Sequence, residues 1–366
     1  MGFIFISSIT KPSSNIHSDA KQVCDSAARS VLTRRSPMPF LLIVLFVVAM
    51  VSPGRAETPA DRQFAIIFNN TKTDGGFNEL ALRGLQRFKI ETGLDARENI
   101  IRTEEESVQS MRNFAQYGIR NILLIGFVNE GAVSTVAQEF PEVHFTLIDG
   151  RVDLPNVRSV LFREDEAAYL VGMAAGLASR TGTVGFIGAV PIPPIKRFEC
   201  GFVQGVLATR PSARLLRRFL GSDANAFRDK DAAHSMAEHL VAEGADVAFA
   251  AAGYAGIAVL ETMAAAGRLG IGVDTNQNGL FPGHVLTSAL KRVDIAAYLA
   301  LKDAHEGKWT AGVQYLGLAE QGVDWARDDA NATLIAGLVS RLEAAAVDIA
   351  GGRLAVRPAE LADACR

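Results

Sequence analysis

The chain has 366 residues, 49% of them hydrophobic and 21% charged, with a net charge of -3. This composition excludes a disordered chain, and the length allows two domains at roughly 100–200 residues each. The lack of a basic excess argues against a nucleic-acid partner.

Residues 1–56 stand apart from the fold. Arg34-Arg35 precede a 13-residue apolar run, Pro39–Val51, which Ser52-Pro53-Gly54-Arg55-Ala56 follow. The run is too short to span a bilayer as a helix. Its basic flank and the small residues after it predict a secretory signal peptide, cleaved near Ala56. Residues 1–37 read as an upstream extension, with Met38 as an alternative start. No cysteine follows the run, so the expectation is a periplasmic protein that is not a lipoprotein and has no membrane insertion after cleavage. Residues 1–56 hold six basic and two acidic residues, so the remainder carries -7.

From there strand-like and helix-like segments alternate. Strands are predicted at Phe64–Phe68, Asn99–Arg102, Ile122–Ile125, His144–Ile148 and Val157–Phe162. Helices between and after them are predicted at Gly76–Thr92, Glu104–Tyr117, Glu130–Phe140 and Asp165–Ser179. The second half repeats the rhythm, with strands at Thr183–Ile187, Arg214–Phe219, Asp246–Ala250, Leu269–Val273 and Val285–Ala289. Its helices fall at Lys196–Ala208, Asp231–Glu243, Tyr254–Ala266, Val293–Glu306 and Asp328 to about Ile349. Runs such as Asn121–Gly126 and Asp246–Ala250 are apolar after their first residue, as parallel strands covered on both faces are. The alternation predicts two α/β domains with parallel sheets.

Most chemical motifs are absent. No complete GxGxxG, Walker A, GxSxG or HExxH occurs, which argues against a dinucleotide, nucleotide or hydrolase site. The six histidines are scattered, so no metal site, catalytic set or cofactor is expected. Cys24, Cys200 and Cys365 do not have the spacing of a disulfide framework; Cys200 reads as a small core residue and Cys365 as a loose terminal thiol. Glu104-Glu105-Glu106 and Glu164-Asp165-Glu166 both open helices, where acids favour the dipole; the first reads as a solvated face, and the second could also face a cleft.

Several stretches carry a resemblance. They are Thr73-Asp74-Gly75-Gly76-Phe77-Asn78, Phe145–Gly150, Tyr169–Gly172, Val184–Gly188 with Pro194–Phe202, Ala251-Ala252-Gly253, Gly272–Gln277, Leu286–Asp294, and Leu316–Leu318 with Gly322-Val323. In this order they resemble the basic membrane protein family of nucleoside-binding proteins that serve ABC-type importers. The resemblance implies a type I periplasmic-binding-protein fold: two Rossmann-like lobes with parallel sheets flanked by helices, a hinge, and a ligand in the cleft. It implies a purine nucleoside held between two aromatic rings, a carboxylate on the ribose hydroxyls and a lysine beside it. The expected division is residues 57–163 plus about 281–308 in one lobe, and 164–280 plus about 309–366 in the other.

The candidate ligand-binding residues fall at strand ends, where open α/β sheets bind ligands. Asp274 follows a strand and has two oxygens for a vicinal diol; a turn aspartate is the other reading. Lys291 stands to donate to the sugar and neutralise Asp274, or to make a surface ion pair. Phe77 either packs in the core or walls the cleft. Phe227 sits in a polar stretch, Asp223–Asp229, and suits stacking, with Phe202 as the alternative second wall. Asn78 and Asp149 suit base-edge contacts or helix and turn caps, and Gly253 permits close backbone approach. The functional expectation is a monomeric, non-enzymatic solute-binding protein that delivers a nucleoside to an ABC permease. A sugar, amine or modified nucleoside, bound for import or sensing, is the alternative ligand, and a nucleoside hydrolase the alternative class.

Overall fold

The computed structural model describes residues 64–359 and Cys365. The predicted signal peptide and its cleavage near Ala56 lie outside them. The first strands and helices are β1 (Phe64–Asn69), α1 (Phe77–Thr92), β2 (Arg97–Ile101), α2 (Glu104–Gln116), β3 (Asn121–Ile125), α3 (Glu130–Glu139), β4 (His144–Ile148) and β5 (Val157–Phe162). Then come α4 (Glu164–Ala178), β6 (Thr183–Gly188), α5 (Pro193–Thr209), β7 (Arg214–Phe219), α6 (Lys230–Ala242), β8 (Val247–Ala251), α7 (Gly256–Ala265), β9 (Leu269–Asp274) and β10 (Val285–Lys291). The chain continues with α8 (Val293–His305), β11 (Gly312–Leu316), β12 (Val323–Trp325), α9 (Ala332–Ile335) and α10 (Val339–Ala350). Among the described residues no helix is long and apolar enough to cross a membrane.

Two sheets form, in the orders β11-β5-β4-β3-β1-β2 and β12-β10-β9-β8-β6-β7. All pairings are parallel except β10 with β12. The first five strands of each half therefore follow the same 2-1-3-4-5 order, with a sixth edge strand added from the C-terminal part. The inner strands β1, β3, β5, β6 and β8 are buried almost throughout, which explains their unbroken apolar runs. The edge strands β2, β7 and β11 are largely exposed or half-buried.

The chain passes between lobes three times. After β5, α4 packs on α5, β10 and β12 of the second half; after β10, α8 packs on α1 of the first. The third passage joins β11 to β12. The three crossings lie side by side: Arg163 N donates to Leu316 O at 3.1 Å, and Arg292 N donates to Gly322 O at 2.8 Å.

Three expectations are corrected here. Val285–Lys291 belongs to the second sheet, and only at Val293 does the chain return to the first lobe. Gly312–Leu316 conversely joins the first sheet. The long final helix is two pieces, and it starts late because Asp328 is committed to a turn. Its carboxylate accepts from Ala330 N at 2.8 Å and from the amides of Asn276 and Asn278.

The cysteines are corrected as well. Cys200 and Cys365 form a disulfide, their Cα atoms 4.4 Å apart across 165 residues of sequence. Near this bond the C-terminal segment lies along α5, where Gln204 exchanges two hydrogen bonds with the backbone of Arg357 at 2.9 and 3.0 Å. A bond closing so long a loop is worth on the order of 2–4 kcal/mol. Cys365→Ala is expected to lower stability by about that amount. Reductant should lower the melting temperature of the native chain and leave the variant unmoved. A native chain indifferent to reductant would dismiss the bond.

Candidate functional site

The C-terminal ends of both sheets converge on a cavity of about 130 Å³. Asn69 of β1, Ile125 of β3, Asp149 after β4, Ala251 of β8, Asp274 of β9 and Lys291 of β10 line it. The starts of α1 and α5 and the turn Ala224–Phe227 complete it. Three non-glycine residues at these strand ends adopt left-handed backbone: Asn70 (φ 62°), Asp149 (φ 68°) and Asp274 (φ 64°). Such conformations cost on the order of 1–3 kcal/mol each and gather where a site requires them. Here they turn polar side chains away from the sheet layer and into the cleft.

The entry to α1 is organised by Asp74. Its carboxylate accepts from the backbone N–H of Gly76, Asn78 and Glu79 at 3.0–3.2 Å, satisfying donors that a helix start leaves open. Asp74 also takes the Asn78 side-chain N–H at 2.7 Å. That bond fixes the amide, so Asn78 Oδ1 is the atom left buried and without a partner. This turn from the first lobe abuts the second: a Cβ on Gly76 would lie 3.6 Å from Asp274 Oδ2.

At the floor, buried Lys291 donates to Asp149 Oδ2 and, at 2.8 Å, to Glu164 Oε1. The other Glu164 oxygen accepts from Arg197 Nε at 2.6 Å. The rings of Phe162, Phe77 and Phe198 surround the ammonium at 5.0, 5.2 and 6.0 Å, within cation–π range. Burial pushes the Lys291 pKa down, but the charges of Asp149, Glu164 and Asp274 outweigh it and hold the pKa above the ordinary lysine value. Burial likewise pushes Glu164 up, and Lys291 with Arg197 brings it below the usual carboxylate range.

Asp149 and Asp274 differ from Glu164. Burial raises Asp149, and Lys291 offsets this only in part; its Oδ1 is buried without a partner. Asp274 is pushed up to about 7, first by burial and then by the charges of Asp74, Asp149 and Glu164, against the pull of Lys291. None of the described residues donates a hydrogen bond to its carboxylate. The cavity thus offers acceptors at Asn78, Asp149 and Asp274, between apolar walls from Phe77, Phe198 and Phe227. It suits a flat ligand rich in hydroxyl or N–H donors. Among the described residues no cluster of three or more His, Cys, Asp or Glu side chains could hold a metal ion.

All seven sequence-predicted residues, Phe77, Asn78, Asp149, Phe227, Gly253, Asp274 and Lys291, line this one cavity. Two differ in detail. Lys291 pairs with Asp149 and Glu164 and reaches Asp274 only through its field. At Gly253 (φ 56°) the close neighbour is Phe227, whose ring would sit 3.2 Å from an added Cβ; the missing side chain makes room for the wall. Phe202, the alternative wall, is buried among Phe186 and Phe249 in the core. Asp74 stands in the quoted Thr73–Asn78 motif without being singled out as a site residue, and Glu164 belongs to the acidic set that the sequence allows to face a cleft; it lies behind the cavity, against Lys291 and Arg197.

Residues 62–335 match the family described as ABC transporter substrate-binding protein PnrA-like, or Bmp. The chain belongs to this family. A Bmp-family chain is the substrate-binding part of an ABC transporter system, which implies a small-molecule ligand and an ABC permease partner. An uncharacterized lipoprotein of Pyrococcus abyssi is 31% identical over 305 residues, covering 78% of this chain and 74% of its own. Basic membrane protein D of Borreliella burgdorferi is 30% identical over 295 residues, covering 78% of this chain and 84% of its own. A solved ABC transporter solute-binding protein from Aeropyrum pernix superposes with a TM-score of 0.70 at 24% identity, covering 81% of this chain and 93% of that one. That likeness speaks for the fold: a type I periplasmic-binding-protein architecture.

The relatives correct one expectation. The absence of a cysteine after the apolar run predicts a protein that is not a lipoprotein. Relatives at 30–31% identity are named lipoproteins, which are membrane-anchored, and this overturns the expectation of an unanchored protein. Export of a solute-binding protein is consistent with them.

Proposed function

We propose that this Bmp-family protein captures a nucleoside, of purine type, and delivers it as a monomer to an ABC permease. The observation that carries the reading is one cavity lined by Phe77 from the first lobe, Phe227 from the second, and an Asp274 carboxylate with no hydrogen-bond donor of its own. In this reading the base lies between the two rings and Asp274 accepts both ribose hydroxyls. Asn78 Oδ1 and Asp149 Oδ1 take N–H or O–H donors at the ligand's edge. A disulfide between Cys200 and Cys365 supports export, since such bonds persist in oxidising compartments.

Calorimetry on residues 57–366 with adenosine, guanosine, inosine, free bases and ribose tests the reading. Nucleosides are expected to bind more tightly than either half alone. Stacking on an aromatic ring is worth about 1–3 kcal/mol per base and tolerates any base. Phe77→Ala and Phe227→Ala should therefore weaken all three nucleosides by similar factors and leave ribose unaffected. A binder returns its ligand unchanged, so chromatography after incubation with inosine should show no free hypoxanthine. Tighter binding of ribose than of any nucleoside would turn the reading toward a sugar.

A further inference from the structure

The Lys291 ammonium carries three N–H donors, and the protein satisfies two of them, at Asp149 Oδ2 and Glu164 Oε1. Three phenylalanine rings crowd the same charge. Glu164 is fully buried at the first inter-lobe crossing and is itself held by Arg197. It does not line the cavity, whereas Asp149, Asp274 and Lys291 do. Without an anchor at Glu164, the carboxylate oxygens left to draw the ammonium are Asp149 Oδ1 and those of Asp274. These are the acceptors that have no protein donor.

We propose that Glu164 is the positioning residue of the cleft: by binding Lys291 from behind, it keeps the ammonium off Asp149 Oδ1 and Asp274 and leaves both acceptors open to the ligand. The ion pair would then act as preorganisation as well as cohesion. A side chain fixed by the protein need not be moved when ligand arrives. This inference rests on the nucleoside reading for its affinity test and on the free protein alone for its spectroscopic one.

Glu164→Gln keeps the size and removes the charge. It should weaken adenosine on the order of tenfold or more, the range of a charge-assisted hydrogen bond. The pH profile separates this from loss of packing. Asp274 faces Lys291, Asp74, Asp149 and Glu164, and deleting one negative neighbour should move the midpoint of its titration, seen in the affinity, to lower pH. An adenosine affinity within threefold of the native value, with an unmoved midpoint, would overturn the proposal.

The second measurement needs no ligand and compares the native protein with Glu164→Gln. In the native protein labelled with 15N-lysine, the Lys291 ammonium signal, assigned by its loss in Lys291→Arg, should be protected from solvent exchange before any ligand is added. Protection that arises only on adding adenosine would mean that ligand, not Glu164, positions the lysine, and the proposal fails. Should the native protein bind no nucleoside, the functional reading falls, while the role of Glu164 is still decided by whether folded Glu164→Gln loses this protection: loss supports it and full protection overturns it.

Discussion

Asp274→Asn is expected to abolish selective capture of ribonucleosides while making the empty protein more stable near neutral pH. The two effects have one cause. In the folded chain Asp274 is pushed from 3.8 up to about 7 by burial and by neighbouring acids. Between those values the folded state binds more protons than the unfolded state, so stability falls as pH rises through that window and the full penalty stands above it. A rise of this size corresponds to at most about 4 kcal/mol at roughly 1.4 kcal/mol per pH unit. Asparagine does not titrate and escapes the penalty. It cannot accept two hydroxyl donors with a full charge, so a ribonucleoside should lose on the order of 2–4 kcal/mol. Urea unfolding at pH 5 and pH 8 should show the native chain losing more stability than the variant across that interval. Calorimetry should show the native chain preferring adenosine to its 2′,3′-dideoxy analogue, and Asp274→Asn losing that preference. A variant that keeps the preference would remove Asp274 from the sugar contact.

Inner strands such as Val247–Ala251 and Asn121–Ile125 are covered on both faces, so their apolar runs stand out and place the strand ends, hence the cavity. Gly312–Leu316 and Val323–Trp325 are edge strands, one half-buried to exposed and one three residues long, and neither carries a run to read. The lobe exchange of β10 and β11 is likewise invisible in local pattern, because it depends on which sheet a strand pairs with. Phe227 was legible as an apolar residue stranded in polar loop. Glu164 was legible only as one of three helix-start acids that could face a cleft, since an acid at a helix start has an ordinary local explanation. Only the fold brings it within reach of Lys291, 127 residues away. The Cys200–Cys365 bond is hidden for the same reason, with no spacing rule linking partners 165 residues apart.

Lys291→Met should be the most destabilising single change in the cleft, and its cost should be recoverable without recovering function. The native floor balances Asp149 and Glu164 against Lys291 and Arg197. Removing the lysine leaves two buried carboxylates facing one guanidinium, and breaking such a pair costs about 3–5 kcal/mol. Methionine keeps most of the apolar stem among Phe77, Phe162 and Phe198, so the loss reports charge more than packing. Adding Asp149→Asn restores the balance, because Glu164 keeps Arg197 at 2.6 Å and the neutral amide has no charge to desolvate. The double variant should regain most of the urea midpoint, since replacing a matched buried pair is often close to neutral. It should still bind nucleoside poorly, because it lacks both the Asp149 charge and the ammonium beside Asp274. If Lys291→Met proves as stable as the native chain, the floor is not an ion-paired unit. If the double variant is no better than the single one, Asp149 is not the partner whose charge Lys291 neutralises.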